Sequence, residues 1–329
     1  MSRSSCLAKS VRLVRQSRSL VWALVAVLFG VGHCGSGNVN AASPSFCAAY
    51  FHPGEAAPLL TLFPVDGPEV NVALPSGLPK AAFALFGPEG RTIYIPGRPR
   101  SAQGLKEIQF GPLRERSVPG TEGFDAIWHF TVSQPSGKIF ISGKLPKMGE
   151  CGTVEVDPSP GTTRKVLAGA YPDCGGGGGA VSPDGKRALT YAGNELGVID
   201  LESRAVEPIR NVGGGIGLRG VTWGNQVAWS PDGRWISAII DQGKILLIDA
   251  SDTSRRRRLG SSGRGFVVWS PDSKYLLIEK SQLRCGLTYG FFESLEVLEV
   301  ATGKRAPIKS SRCNVGVGSV GWLDPGVVR

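Results

Sequence analysis

Short apolar runs separated by tight-turn sequences recur along most of the chain. Three segments are closely alike: AVSPDGKRALTYA from Ala180, VAWSPDGRWISAI from Val227 and VVWSPDSKYLLIE from Val267. Two weaker copies, FALFGPEGRTIYI from Phe83 and FTVSQPSGKIFIS from Phe130, precede them. The prolines of these copies, at positions 88, 135, 183, 231 and 271, are 47, 48, 48 and 40 residues apart. This spacing is typical of propeller blades, whose repeats are about 40–50 residues long.

Each repeat predicts a β-hairpin. An apolar run enters the turn, and a second strand with alternating apolar and polar positions leaves it. In the turn, Pro presets a negative φ, Asp bonds the local backbone and Gly accepts a positive φ. These turn residues are therefore interpreted as structural: Ser182, Pro183, Asp184, Gly185, Ser230, Pro231, Asp232, Gly233, Ser270, Pro271 and Asp272.

A second pair of strands is predicted after each clear hairpin, which makes four strands per blade. The predicted third and fourth strands are residues 196–200 with 205–209, 244–249 with a strand near 258–259, and 295–300 with 301–304. Residues 58–67 and 69–74 resemble a third and fourth strand without a first hairpin, whereas residues 319–326 resemble a first strand and its turn. We therefore predict an all-β propeller of six four-stranded blades, with a composite blade from both termini that closes the ring. Seven blades are the alternative.

The Ser-Pro-Asp-Gly turns resemble the WD40-like repeats of TolB-type propellers, since Trp229 and Trp269 directly precede two of the three clear copies. The resemblance covers about residues 80–325. It implies a periplasmic propeller that binds protein. No Trp precedes Ser182, and the first two copies have Gly-Pro-Glu and Gln-Pro-Ser in place of Ser-Pro-Asp. TolB proteins also carry an N-terminal α/β domain, for which the residues before the first repeat leave no room, so the resemblance bears on fold more than on function.

Residues 1–41 have the pattern of a signal peptide. Five basic residues and no acidic one flank the uncharged run LVWALVAVLFGVG, which begins at Leu20. A helix of that length reaches about 20 Å, less than the ~30 Å hydrocarbon core, so a spanning anchor is the weaker alternative. Small residues predict cleavage after Ala41 or Ala42, and Cys34 leaves lipid attachment as another alternative. We expect residues 42–329 to form one propeller domain in the periplasm or outside the cell.

Removal of the signal segment takes away five basic residues, so the formal net charge falls from +10 to +5. Much of the basicity is therefore a targeting feature, and a nucleic-acid partner is not expected. Membrane contact is expected only through the signal segment if it stays uncleaved.

Five cysteines follow the signal segment, and an oxidising compartment permits disulfides. We predict that Cys151 pairs with Cys174 and that Cys285 pairs with Cys313, because each pair falls within one repeat. Cys47 is then left over, although sequence alone leaves the connectivity open.

Two segments are candidate partner-binding sites. The four consecutive arginines from residue 255 are predicted in the turn between the third and fourth strands of one blade. They form either a solvated loop or a contact for an acidic protein, a polyanion or lipid headgroups. The aromatic stretch 286–292 either anchors a partner or lies inside a strand. The candidate residues are Arg255, Arg256, Arg257, Arg258, Arg284, Tyr289, Phe291 and Phe292.

The sequence contains no G-x-S-x-G, CxxC or HExxH motif, and His52 and His129 are the only histidines after residue 41. No catalytic, cofactor or metal site is therefore predicted. The leading hypothesis is a protein-binding or scaffold module whose partner is an envelope or extracellular protein. The alternative is a small-molecule propeller enzyme, similar to a lactonase or glycan hydrolase, with its site on the central axis. A purely structural domain of a surface assembly is a third possibility.

Overall fold

A computed structural model gives the fold of the chain. The residues it describes are 46–52, 59–63, 68–75, 78, 84–97, 104–122, 126–133, 136–144, 151–168, 180–192, 195–210, 212, 227–240, 243–261, 267–282, 291–314 and 319–328. In chain order the strands are β1 Cys47–His52, β2 Leu59–Phe63, β3 Val70–Ala73, β4 Leu85–Phe86, β5 Thr92–Ile95, β6 Lys106–Gln109, β7 Arg114–Ser117, β8 Ala126–Val132, β9 Ile139–Lys144, β10 Cys151–Asp157, β11 Thr162–Ala168, β12 Arg187–Ala192, β13 Glu195–Asp200, β14 Val206–Pro208, β15 Val227–Trp229, β16 Trp235–Ile240, β17 Lys244–Asp249, β18 Arg256–Ser261, β19 Val267–Trp269, β20 Tyr275–Gln282, β21 Phe291–Glu299, β22 Arg305–Asn314 and β23 Ser319–Leu323. A 3₁₀ helix over Pro325–Val328 follows the last strand.

The strands form six antiparallel sheets, which are the blades of a propeller. Blade 1 is β4 to β7, blade 2 is β8 to β11, blade 4 is β15 to β18 and blade 5 is β19 to β22. Blade 3 has β12 to β14, and an isolated bridge between Val181 and Ala188 stands in the place of its first strand. Blade 6 has the order β23-β1-β2-β3, so it combines strands from both ends of the chain. The prediction of six blades with a composite closing blade is confirmed.

Six hydrophobic clusters close the ring, because each cluster joins two neighbouring blades. One cluster packs Leu189 of blade 3 against Trp229 of blade 4, and another packs Ile93 of blade 1 against Phe51 of blade 6. The remaining four clusters lie between blades 4 and 5, 5 and 6, 1 and 2, and 2 and 3. Each sheet therefore buries both of its faces.

Burial on both faces explains why the middle strands are continuous apolar runs. In β17, Leu246 and Ile248 pack in the cluster shared with blade 3, whereas Ile245 and Leu247 pack in the cluster shared with blade 5. Successive side chains of a strand point to opposite faces, so a strand between two buried faces needs apolar residues at both.

The second strand of blade 6 was not predicted. This strand, β1, pairs on one side with β2 and on the other with β23. Ala48, Ala49 and Phe51 are fully buried there. The segment CAAYFH has no Ser-Pro-Asp-Gly turn before it, because the preceding strand of its blade comes from the other end of the chain.

The fourth strand of blade 5 begins later than predicted, at Arg305 and not at Ala301. Residues 301–304 form the turn before it, where the N–H of Glu299 donates to the carbonyl of Lys304 at 2.9 Å. Gly303 has a φ of 75°, a left-handed conformation that glycine adopts without steric cost. The glycine therefore marks the turn and not the strand.

Cys47 is buried and disulfide-bonded, so its assignment as the leftover cysteine is wrong. Cys174 and Cys285 lie outside the described residues, and the two predicted pairs therefore stay predictions. The signal segment, residues 1–41, lies outside them as well, so its boundary also stays a prediction. Across the described ranges, no helix has the length and apolar character needed to cross a bilayer.

Candidate functional site: the axial cavity

The inner strands of all six blades surround a cavity of about 590 Å³. Each blade contributes an apolar residue to the wall, and in ring order these are Phe86, Val132, Val181, Ala228, Val268 and Val320. Phe46, the first described residue, completes the lining beside blade 1. The cavity therefore lies where a propeller places its axis.

The turns that join first and second strands form one rim of the cavity. Pro88, Pro183, Pro231 and Pro271 all belong to the lining. In the blade 4 turn, the Ser230 hydroxyl donates to Asp232 at 2.5 Å and accepts from the N–H of Trp235 at 2.8 Å. These bonds fix the turn, so the prolines lie at defined positions on the edge of the cavity.

The same turn chemistry in blade 3 sets the ionisation of Asp184. Partial burial raises the pKa of this carboxyl, but hydrogen bonds from the Ser182 hydroxyl at 2.5 Å and the N–H of Lys186 at 3.1 Å lower it more. The net pKa is lowered, which keeps the carboxylate ionised and acting as a turn acceptor.

Three tryptophan indoles connect neighbouring blades around the cavity. Each indole N–H donates to a group in the inner half of the preceding blade, and all three rings are buried. The bonds are Trp229 to the Ala180 carbonyl at 2.9 Å, Trp269 to the Ser237 hydroxyl at 3.0 Å and Trp322 to the Val268 carbonyl at 3.1 Å. The tryptophan before a turn is thus explained by blade packing, since a buried indole N–H needs an acceptor.

Carboxylates are sparse on the wall of the cavity. Glu89 and Asp272 are the acidic residues of its described lining. Asp272 accepts from the Ser270 hydroxyl at 2.6 Å and from the N–H of Lys274 at 3.1 Å, so it is engaged in its own turn. Within the described part of the chain, no group of three or more His, Cys, Asp or Glu residues is placed to hold a metal ion. The described wall is suited to apolar contacts more than to acid–base chemistry.

The structure places the four arginines differently from the prediction. Only Arg255 lies in the turn, and Arg256, Arg257 and Arg258 belong to β18, the outermost strand of blade 4. The turn is shorter than expected because Asp249 and Asp252 accept hydrogen bonds from serines within it. The arginine run therefore lies mostly within a strand at the outer edge of its blade, away from the axial cavity.

The aromatic candidates are only partly described. Phe291 and Phe292 begin β21, so the strand interpretation holds for the backbone of these two residues. Arg284 and Tyr289 lie outside the described residues. Phe291 and Phe292 are not among the described residues that line the cavity.

The sequence predicted the turns beside the cavity and singled out Trp229 and Trp269, but it missed Phe46 and Phe86 of the wall. Phe46 and Phe86 both line the cavity because the strand that follows Phe46 belongs to blade 6, which closes the ring beside blade 1. For Phe86, the sequence does offer a signal, because this aromatic residue ends the first strand of its blade directly before the turn.

Comparisons with known proteins support the fold. No protein-family model matches the sequence, and no curated protein is significantly similar to it. TolB from Acinetobacter baumannii is similar in structure, with a TM-score of 0.60 and 15% identity over 84% of this chain and 66% of that one. The chain thus spans just under two thirds of the length of TolB.

Two further solved structures are similar over most of their own length. A propeller in the nidogen/laminin complex has a TM-score of 0.53 and 8% identity, over 80% of this chain and 94% of that one. A candidate 6-phosphogluconolactonase from Bacteroides fragilis has a TM-score of 0.50 and 12% identity, over 85% and 98%. Identities this low establish a shared fold and do not transfer a function.

Proposed function

We propose that the chain is an exported six-bladed propeller that binds another protein, as a module of the cell envelope or the extracellular space. The observation that carries the proposal is the axial cavity, whose wall is formed mostly by apolar residues of six inner strands. Its partner inserts an apolar segment into this cavity.

The dimensions and the frame of the cavity support this proposal. Its volume of about 590 Å³ falls within the ~300–1,000 Å³ usual for ligand pockets. The wall is rigid, because hydrogen-bonded turns and interblade tryptophans hold the inner strands. A preformed wall loses little entropy on binding, so apolar burial translates efficiently into affinity.

Export is the second element of the proposal. Residues 1–41 act as a cleaved signal peptide, and the propeller works outside the cytoplasm. The basic start and the thirteen-residue uncharged run from Leu20 support it. The similar structures add support, since one is TolB and another is a complex of two proteins, nidogen and laminin.

A charge on the cavity wall tests the proposal. Val268 is half-buried on the wall, and Val268→Glu introduces a carboxylate there. Val206→Glu is the matched control, because Val206 is 47% exposed on the outer strand β14. We expect the wild-type protein and the control to retain the same cross-linked partner in envelope extracts, and Val268→Glu to lose it. Equal recovery by all three proteins would count against the cavity as the binding site.

An enzyme acting on a small molecule is the second candidate function. The cavity has the volume of a small-molecule site, two carboxylates lie on its wall, and a candidate lactonase shares the fold. Glu89→Gln tests this alternative with a panel of sugar lactones followed by proton release. Turnover by the wild type that Glu89→Gln abolishes would replace the binding proposal with the enzymatic one.

A further inference from the structure

Among the described residues, β18 is the outermost strand of blade 4, and no other strand of that part of the chain pairs with its outer backbone edge at the arginines. The N–H of Asp249 donates to the carbonyl of Arg255 at 3.0 Å. Bonded and non-bonded pairs alternate along an antiparallel ladder, so the Arg257–Leu247 pair is the next bonded one. The N–H and carbonyl groups of Arg256 and Arg258 consequently point away from the sheet.

The side chains of these arginines carry positive charge on both sides of that edge. Arg256 and Arg258 pair with Ile248 and Leu246, so they lie on the side of blade 3, and Arg257 lies on the side of blade 5. In the described part of the chain, Arg256, Arg257 and Arg258 have no carboxylate partner.

Nearby carboxylates are already engaged by other groups. Asp252 pairs with Arg255 at 3.0 Å, and Glu207 of blade 3 accepts from the Thr253 hydroxyl at 2.7 Å. Glu296 of blade 5 pairs with Arg305 at 3.3 Å. The Nε of Arg256 donates to the carbonyl of Thr253 at 3.0 Å, a neutral acceptor that leaves the positive charge of Arg256 unpaired by a described carboxylate. The charges of the three strand arginines thus remain available to an external anion.

Arg305 of blade 5 limits the length of the free edge. Its guanidinium donates to the carbonyl of Leu259 at 2.9 Å and to the carbonyl of Ser261 at 2.7 Å. The far end of β18 is therefore covered, and the open part is the arginine segment. A ligand that pairs with the backbone has room for a short extended segment only.

We infer that this edge binds an acidic, extended segment of a partner protein, which adds a strand to blade 4. Strand addition uses the free N–H and carbonyl groups, and acidic side chains on both sides of the added strand meet the arginines. A second copy of β18 is disfavoured, because like charges would face each other across the edge. The inference does not depend on the axial cavity.

The test uses a synthetic ten-residue peptide with Glu at alternate positions among Val and Thr, titrated into the full exported chain by fluorescence anisotropy. The variant carries Arg256→Gln, Arg257→Gln and Arg258→Gln. Its control carries Arg114→Gln, Lys186→Gln and Arg210→Gln, which removes the same charge from exposed cations elsewhere. We expect the strand variant to bind about tenfold more weakly and the control to bind as the wild type does.

A second peptide separates strand addition from simple charge attraction. N-methylation at alternate amides removes the donors of one edge and keeps every charge, so we expect its binding to be lost. Equal binding of the methylated peptide would overturn strand addition, and equal weakening by the control variant would overturn the site. Arginine-dependent binding of anionic phospholipid vesicles without peptide binding would also overturn the inference. Val268→Glu should leave peptide binding unchanged, which keeps this result separate from that on the cavity.

Discussion

Substitution of Gly321 by alanine is expected to weaken the join between blades 6 and 1. Gly321 lies in β23, and the ring of Phe86 in β4 covers it. A Cβ at position 321 would lie 2.1 Å from Cγ and 2.2 Å from Cδ2 of Phe86. Non-bonded carbons prefer ~3.5–4.0 Å, so the ring would have to retreat by about 1.5 Å. The glycine therefore permits a close approach where the ring closes.

The expected cost follows from that overlap. Overpacking of a close-packed site costs about 1–3 kcal/mol. Phe86 borders the axial cavity and can move into it, but it then loses contacts with the cluster between blades 6 and 1. We expect a loss of about 2 kcal/mol in the free energy of unfolding and a fall of about 4–8 °C in Tm. Urea unfolding followed by tryptophan fluorescence measures the free energy of unfolding, and thermal unfolding followed by circular dichroism measures Tm.

Two comparisons give this prediction its controls. Gly137→Ala places a Cβ in open space at a φ of 68°, so it measures the backbone cost alone, about 1 kcal/mol. Phe86→Leu combined with Gly321→Ala should recover about 1 kcal/mol relative to the sum of the single changes. Wild-type stability of Gly321→Ala, or strict additivity in the double variant, would refute the proposed contact.

The remaining predictions concern a turn, acid stability and processing. Ser273→Ala should lower the free energy of unfolding in urea by about 1 kcal/mol, because the Ser273 hydroxyl accepts from the N–H of Asp232 in the preceding blade at 2.9 Å. An unchanged midpoint would contradict this. Hydrogen bonds from the Ser251 hydroxyl and N–H lower the pKa of Asp249 in the folded protein. The ionised carboxylate therefore stabilises the fold at pH values above the unfolded pKa of about 3.9. This contribution is lost as the pH falls through the lower pKa of the folded state. Asp249→Asn should therefore show a smaller loss of Tm than the wild type on acidification, and parallel curves would exclude the effect. Mass spectrometry of the exported protein should find a mature terminus after residue 41 or 42, whereas an intact N-terminus would contradict cleavage.

The architecture could be predicted from the sequence because the same type of tight turn repeats along the chain. Ser, Pro, Asp and Gly specify a tight turn by short-range bonding, as Ser230 and Asp232 show, so the spacing of the turns predicted blade length. The composite blade was also predictable, because incomplete units stand near both ends.

Other features depend on contacts that no local pattern encodes. Strand β1 has apolar residues on both faces, so it lacks the alternation that marks a half-buried strand. The wall of the axial cavity brings together residues from seven separate segments, and their common location follows from ring closure. The arginine run was identified by its charge, but its place in β18 depended on where serine and aspartate side chains ended the turn.

The composite blade also sets the time at which the protein can finish folding. Cys47 pairs with Leu323, so β1 waits for almost the entire chain before it gains its inner neighbour. Contacts between distant parts of a chain slow folding, and an incomplete ring leaves strand edges open to aggregation. The last sheet therefore cannot assemble until both of its contributing segments are present on the same side of any membrane, which is compatible with the export proposed above.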